Sequence, residues 1–328
     1  MLCISTLVVA RPDRLGDVVL SSSCLSAVRN HFPSAQLHWL VADRMRPLFF
    51  GDPLVDSVLT SGGEEPGLQA FRLARALRRV RADAIALLQP NRRVEIASWL
   101  ARVPIRAGFA RRRNWPQFLT HAASYRKSEG AKHESCYNFD VLSLLGVPEP
   151  VVLEPRLHPD PAARARLMGR LGTRAASLPR CAALHLAAHG AKPGAPLELM
   201  AGLAGWLQRE RGLRPLLIGT EPDPPAHIVA RLAGIAPSEL LDLRGATDTA
   251  ELAWLLAFVA LCAGRDSGPT HLAAAMGCPT LVFFVDPRPI LGPTRWTPLG
   301  ARVEALSADP RCATPAAARA AAARLLQK

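Results

Sequence analysis

ALCAGRDSGPTHLAAAMGCPTLVFF, residues 260–284, sets a polar cluster between two apolar runs. ALCAG reads as a buried strand, HLAAAMG as a short helix of small side chains and TLVFF as a second buried strand, with Asp266, Ser267, Thr270 and His271 gathered at the turn. A strand, a helix and a second strand in so short a span imply a βαβ unit and a parallel sheet. In such sheets ligands sit beyond the carboxyl ends of the strands, where loops lead into helix N-termini. DSGPTH is such a loop. Gly268 lets the backbone come close, Pro269 suits a first helical position because it has no N–H to satisfy, and the amides around Thr270 and His271 would form an anion site. A phosphate or diphosphate is the ligand this implies, with Asp266 turned to sugar hydroxyls, since a carboxylate facing phosphate is repelled. The plainer reading makes Ser267 or Asp266 an ordinary N-cap and His271 a satisfied core histidine.

The same alternation runs outward in both directions. In the second half, CAALHLA, PLLIGT and LLDLRG read as strands and LELMAGLAGWLQRER, the stretch near AHIVARLAG and TAELAWLLAFV as helices, with PAAARAAAARLLQK a closing helix. That last helix either caps its own domain or packs across the first. In the first half, LCISTLVVA, QLHWLVA and DAIALLQ read as strands; VVLSSSCLSAVRNHF, GLQAFRLARALRRVRA and VEIASWLARV read as helices. The proline-rich VPEPVVLEPRLHPDPAARA, residues 147–165, reads as the linker. Two α/β domains follow, 1–157 and 158–328, which agrees with a length of 328 residues.

Composition narrows the partners. The chain carries 49% apolar and 20% charged residues and no apolar run of membrane-spanning length, so a soluble globular protein is expected. MLCISTLVVA lacks a basic flank and runs into RPDRLGD, which suits a first strand better than a secretory signal. Seven scattered cysteines without a CxxC pair argue against a disulfide framework or a zinc site and favour a reducing cytoplasm. The net charge of +13 rests almost wholly on arginine, the lysines being Lys127, Lys132, Lys192 and Lys328. Such an excess suggests an anionic partner, although a bias of the genome toward arginine explains part of it. Nucleic acid is not expected, because the few aromatics form no RNA- or single-strand-binding pattern.

Three further stretches carry chemistry. In RPDRLGDVVL, residues 11–20, a strand ends, a glycine permits a tight turn, and Asp17 stands where a helix begins: an N-cap or a general base, with Arg11 and Arg14 holding it ionised or meeting an acidic acceptor. Lys192 lies in a Gly/Pro-rich loop after a strand and suits a leaving diphosphate, or is a surface lysine. Glu221 follows a strand and a glycine, where it accepts from ribose hydroxyls or solvates a turn. No G-x-G-x-x-G follows the first strand and no Walker loop occurs, so a dinucleotide dehydrogenase and a P-loop enzyme are poorly supported.

These stretches together resemble glycosyltransferase family 9, the heptosyltransferases that move heptose from ADP-heptose onto the lipopolysaccharide inner core. RLGDVVLSSSCLSAVRNHFPSAQLHWLVA resembles the family's opening segment, GDPLVDSV its NPxVD wording and KHESCYNFDVLSLLG the end of its first domain; LLDLRGATDTAELAWLLAFVALCAGRDSGPTHLAAAMGCPTLVFFVDP is the most specific match. The resemblance implies a GT-B fold of two Rossmann-like domains with parallel sheets facing across a cleft, an N-terminal acceptor domain and a C-terminal nucleotide-sugar domain. It implies an inverting, metal-independent enzyme without a cofactor, whose donor is ADP-heptose. By position Asp17 matches the catalytic base, Lys192 the phosphate-facing lysine, Glu221 the ribose-facing acid and Asp266 the sugar-facing carboxylate; Ser267, Gly268, Pro269, Thr270 and His271 match the diphosphate loop. Arg14, Arg92, Arg93, Arg111, Arg112 and Arg113 are candidates for an anionic glycolipid acceptor or for the inner face of the inner membrane, although the Arg111–Arg113 run reads equally as a solvated loop. Ser23 stands where a proline is usual, Ala187 and Ala188 where hydroxyl residues often face phosphate, KPGAP replaces K-x-W-P, and Val285 replaces a glycine. Those departures leave open a relative with another nucleotide sugar, a protein or small-molecule acceptor, or a binder without turnover.

Overall fold

A computed structural model of the chain describes residues 3–61, 68–110, 118–186, 195–220, 223–307 and 314–327. The chain divides into two units, Met1–His158 and Pro159–Lys328. The first contains β1 (Thr6–Ala10), α1 (Leu15–Ser22), α2 (Leu25–His31), β2 (Gln36–Val41), β3 (Ser57–Thr60), α3 (Gln69–Arg79), β4 (Ala84–Leu87), α4 (Arg92–Leu100), β5 (Ile105–Ala110), β6 (His121–Ser124) and α5 (Glu134–Leu142). Its six strands are all parallel, in the order β3-β2-β1-β4-β5-β6. The central strands TLVVA and AIAL are buried along their whole length, as a parallel sheet covered on both faces requires.

The second unit contains α6 (Pro161–Leu171), β7 (Cys181–His185), α7 (Leu197–Arg211), β8 (Arg214–Ile218), α8 (Ala226–Ala233), β9 (Leu241–Asp242), α9 (Thr249–Phe258), β10 (Leu261–Arg265), α10 (Gly268–Ala275), β11 (Thr280–Phe284), α11 (Pro293–Trp296), β12 (Val303–Ser307) and α12 (Pro315–Leu326). Its sheet, again all parallel, runs β12-β11-β10-β7-β8-β9. Strand for strand this repeats the order of the first sheet. Each sheet is therefore built outward from its first strand and then restarted on that strand's other side, which leaves a switch point between β1 and β4 and another between β7 and β10.

Three expectations need correction. The helix expected over residues 18–32 is two helices, α1 and α2, broken at Ser23–Cys24. Ser22 and Ser23 each turn a hydroxyl back onto the carbonyl three residues earlier, at 2.8 and 2.6 Å, which competes with the helical ladder. The linker expected to reach residue 165 ends earlier, because α6 begins at Pro161 with Asp160 as its cap, accepting from the Ala162 amide at 2.9 Å. The strands β3, β5, β6 and β12 were not expected. Three of them, β3, β6 and β12, are edge strands and β5 lies next to an edge; SVLT, HAAS and VEALS are partly exposed and too short or too polar to show as apolar runs.

Helix α12 caps its own unit: Ala318, Ala321, Ala322 and Leu325 join the core formed by α7, β7, β10 and β11. Cys3, Cys24, Cys136, Cys181, Cys262 and Cys278 are free thiols, and Cys312 lies outside the described residues. Among the described residues no helix is long and apolar enough to cross a membrane.

Candidate active site

At the first switch point the chain leaves β1 through Arg11, whose amide donates to the Leu40 carbonyl at 2.8 Å and whose side chain turns inward to 1% exposure. So deep a guanidinium needs every donor matched. Nε donates to Asp13 at 3.0 Å, and Nη1 to the carbonyl of Leu88 at 3.1 Å and to Asn138 at 3.4 Å. Nη2 donates to Asp17 at 2.5 Å and to Glu134 at 3.0 Å. Glu134, fully buried at the start of α5, takes a second cation, Lys127, at 2.6 Å. Lys127 also donates to the Leu88 carbonyl at 3.0 Å and lies 4.9 Å above the Phe109 ring. Asn138 is held in turn by the Ser21 hydroxyl at 3.1 Å.

Burial alone would weaken Arg11 as a base, but Asp13, Asp17 and Glu134 outweigh it and hold the guanidinium above its ordinary value. Burial pushes the Asp13 carboxyl up to about 6, with Arg11 opposing and Asp17 adding to the rise. Burial, helped by repulsion from Arg11, draws Lys127 down to about 8 against the pull of Glu134.

Asp17 is not an N-cap. That place belongs to Arg14, whose side chain makes no capping bond, and Asp17 is the third residue of α1, where the positive end of the helix favours a carboxylate. Its side chain is 16% exposed. Oδ1 is held by Arg11, and among the described residues Oδ2 has no hydrogen-bond partner. The geometry leaves one carboxylate oxygen fixed and the other open to accept a proton.

Arg14 is exposed beside it. Arg92 and Arg93 are the first two residues of α4 and are exposed; Asn91 caps that helix, accepting from the Arg93 and Val94 amides at 3.1 and 3.2 Å. Since α4 follows β4 and β4 pairs with β1, both arginines stand on the same carboxyl edge of the sheet as Asp17. Cations at a helix N-terminus oppose its dipole, so an anion bound there would relieve them. Arg111, Arg112 and Arg113 lie outside the described residues.

At the second switch point β10 passes into α10. A side chain at Gly264 would put a carbon 2.9 Å from Cβ of His185 and 3.1 Å from its carbonyl, so only glycine lets β10 and β7 close here. Ser267 is the N-cap; its amide donates to the Thr270 hydroxyl at 3.2 Å and its own hydroxyl lies 3.1 Å from Nδ1 of His185. Thr270 is buried, its hydroxyl within reach of the Arg265 and Ser267 carbonyls at 3.0 and 2.8 Å. Pro269 occupies the first turn, and among the described residues the Gly268 amide has no partner. The His271 amide is bonded to the Ser267 carbonyl at 3.3 Å, and its ring is buried, with Nδ1 left without a hydrogen-bond partner among the described residues. Its Nε2 lies 3.0 Å from Asp266, which it orients, while the Asp266 carboxylate keeps 14% exposure. This orienting pair was not legible in the sequence, where His271 carried only the ligand and core readings. Lys192, Ala187, Ala188 and Glu221, which follow β7 and β8 in the sequence, lie outside the described residues.

Two Rossmann-type sheets in one chain, each with polar side chains gathered at its switch point, make up the GT-B class of α/β protein. The sequence profile of glycosyltransferase family 9 (heptosyltransferase) matches residues 70–323. The chain belongs to that family and is a glycosyltransferase. It is similar to the structure of Escherichia coli ADP-heptose lipopolysaccharide heptosyltransferase II, at 19% identity over 98% of each chain, with a TM-score of 0.78. The E. coli heptosyltransferase WaaC with ADP aligns at 18% identity over 98% of this chain and 99% of that one, with a TM-score of 0.72. A family 9 glycosyl transferase from Veillonella parvula DSM 2008 aligns at 18% identity over 92% of this chain and 86% of that one, with a TM-score of 0.77. At these identities the shared property is the fold. No curated protein sequence matches the chain.

Proposed function

We propose that the chain is an inverting, metal-independent heptosyltransferase that moves heptose from ADP-heptose onto an anionic glycolipid acceptor of the lipopolysaccharide inner core, at the cytoplasmic face of the membrane. Asp17 takes the proton from an acceptor hydroxyl as that oxygen attacks the anomeric carbon on the face opposite the nucleotide. The new C–O bond forms as the bond to the diphosphate breaks, and ADP leaves with the electron pair. Charge gathering on the diphosphate meets the first turn of α10 and Lys192; Asp266 meets sugar hydroxyls and Glu221 the ribose. Arg14, Arg92, Arg93 and the run Arg111, Arg112 and Arg113 meet carboxylates or phosphates of the acceptor.

The observation that carries this reading is Asp17 at the first switch point, one oxygen clamped by a buried arginine and the other open. A chain that only bound nucleotide sugars would have no use for that base. The donor assignment is supported by the relatives, one described as an ADP-heptose enzyme and another solved with ADP. Calorimetric titration in EDTA with ADP and ADP-heptose, beside UDP and GDP sugars, tests it. Selective binding of the adenine ligands is expected; preference for another nucleotide overturns the donor, and a requirement for added metal overturns metal independence.

A further inference from the structure

A guanidinium carries five N–H donors in one plane, and Arg11 has every one of them engaged. Nε goes to Asp13, Nη1 to the Leu88 carbonyl and to Asn138, and Nη2 to Asp17 and Glu134. One Nη2 hydrogen is thus aimed at Asp17 while Glu134 takes the other. Glu134 does not act alone. Its Oε1 also accepts from Lys127 Nζ at 2.6 Å, and the Leu88 carbonyl that accepts from Arg11 accepts from Lys127 as well, at 3.0 Å. Arg11, Glu134, Lys127 and the Leu88 carbonyl therefore close a ring in which the two cations share both acceptors. The side chains of Arg11, Lys127 and Glu134 are 1%, 0% and 0% exposed, so bulk water cannot stand in for a missing member.

Helix α5 fixes this ring to the helix that carries the base. Glu134 and Asn138 lie one turn apart on α5 and hold the guanidinium at Nη2 and Nη1. From the same helix the Ser135 hydroxyl donates to the Leu20 carbonyl at 3.0 Å and Asn138 Nδ2 donates to the Ser21 hydroxyl at 3.1 Å, and both partners are on α1 with Asp17. The ring also sets charge. Arg11 and Lys127 stand against Asp13, Asp17 and Glu134, and the segments of β4 and β5 add the Leu88 carbonyl, the Gln89 carboxamide at 3.4 Å from Lys127 and the Phe109 ring. Without Lys127 three carboxylates would share one cation, and a buried excess of that size is relieved by uptake of a proton. A carboxylate that has taken one up cannot act as a base.

We infer that Glu134 and Lys127 are positioning residues for the base: Glu134 accepts one Nη2 hydrogen of Arg11 and so turns the other toward Asp17, and Lys127 balances the Glu134 charge so that Asp17 is left free to take the acceptor's proton. Both are too deeply buried to touch a substrate. The inference rests on Asp17 as the base proposed above.

The test is the pH profile of nucleotide release from ADP-heptose with an inner-core glycolipid, taken below the pH at which Lys127, drawn down to about 8 by burial and by Arg11, gives up its proton. The acid limb of that profile belongs to the cluster as a whole. Lys127→Met removes a positive charge and should move the limb up by about one pH unit. Glu134→Gln removes a negative charge and should move it down by about as much, with a plateau about two- to threefold lower because the base is weaker. The titration midpoints of the aspartate carboxyl carbons, read by NMR with no substrate present, should move in the same two directions. Glu134→Gln/Lys127→Met leaves neither charge buried alone and should fold; it should bring the limb back toward the parent, and it measures either charge against whichever single variant folds. A role in folding alone would lower activity with the folded fraction and leave limb and resonances in place. Limbs and resonances that stay in place, or that move the same way in both single variants, overturn the proposal. Retained turnover in Asp17→Asn overturns the base itself, whereas an inactive Asp17→Asn beside unmoved limbs overturns only the positioning. If ADP-heptose and the glycolipid are not turned over by the parent, the proposed substrates fail and the carboxyl resonances still decide the positioning.

Discussion

Asp17→Asn removes a proton acceptor and little else. A positioned general base contributes about 10²- to 10⁴-fold, so kcat should fall by that factor, equivalent to roughly 3–5 kcal/mol of barrier. The architecture should survive. Arg11 keeps Asp13 and Glu134 at 3.0 Å each and the Leu88 carbonyl at 3.1 Å, and the carboxamide oxygen of the variant can still accept from Nη2. What is lost is the charge on one bond, about 1 kcal/mol, which for a unit of this size moves the unfolding midpoint by about 2–4 °C. Part of that returns, because Asp17 also helps to raise the Asp13 carboxyl and its removal makes ionised Asp13 less unfavourable. Donor affinity should not change, since Asp266 and the first turn of α10 belong to the second unit. The assay is nucleotide release with saturating acceptor, beside calorimetry with the nucleotide and a thermal melt of the same sample. A folded variant that turns over within about threefold of the parent refutes the base. Donor binding lost in step with turnover refutes the separation of roles.

Asp13→Asn tests the charge cluster by pH. Because the folded carboxyl sits near 6 and the ordinary value is 3.8, the folded chain holds the proton longer, so stability falls as pH rises from about 4 to 6 and the deficit persists above. The variant should therefore be more stable than the parent by about 1–3 kcal/mol at pH 8 and nearly equal to it at pH 4, and a pH-independent difference in unfolding midpoint would contradict this. Gly264→Ala would place its methyl 2.9 Å from His185 Cβ and 3.3 Å from the Thr270 methyl, so a loss of about 1–3 kcal/mol in thermal stability is expected, with weaker nucleotide binding. A neutral substitution there would mean that β7 and β10 close less tightly than described. His271→Leu removes the group that orients Asp266, and should weaken binding of the nucleotide sugar about tenfold while leaving the bare nucleotide unchanged. Equal loss for both ligands would place Asp266 on the phosphates.

The parts of the fold visible in sequence are those whose burial is continuous. TLVFF was expected as a strand and is one over all five residues, and LELMAGLAGWLQRER is a helix end to end, because TLVFF is buried throughout and the helix sends Leu199 to Leu207 into the core. Outer strands such as HAAS bury one position in four and leave no apolar run to read. The site divides along the same line. Asp17 and the DSGPTH loop sit at the breaks between periodic segments, where glycine and proline mark them. Glu134 and Lys127 were missed, since each looks like a surface residue in its own stretch and becomes part of the site only through Arg11, more than a hundred residues earlier. The one signal was KHESCYNFDVL, where an acid heads a helix that is buried over most of its length; burial of Glu134 there needs partners that local sequence does not contain.

The repeated strand order makes the two units comparable position by position, and the comparison shows how each is equipped to meet an anion. After the fourth strand of the second sheet, Gly268 leaves the start of the helix without a side chain and Pro269 follows it, so a phosphate can approach the backbone itself. After the fourth strand of the first sheet the same turn carries Arg92 and Arg93 behind an asparagine cap whose side chain already takes two of the first amides. Backbone approach is closed there, and what remains is a pair of long cations reaching outward. A small, constant group such as a diphosphate is suited by the first arrangement, and a bulky anionic surface held at side-chain length by the second. The asymmetry between otherwise matching turns agrees with the proposed placing of donor and acceptor, with Asp17 on the arginine-bearing edge of the first sheet as the proposed base.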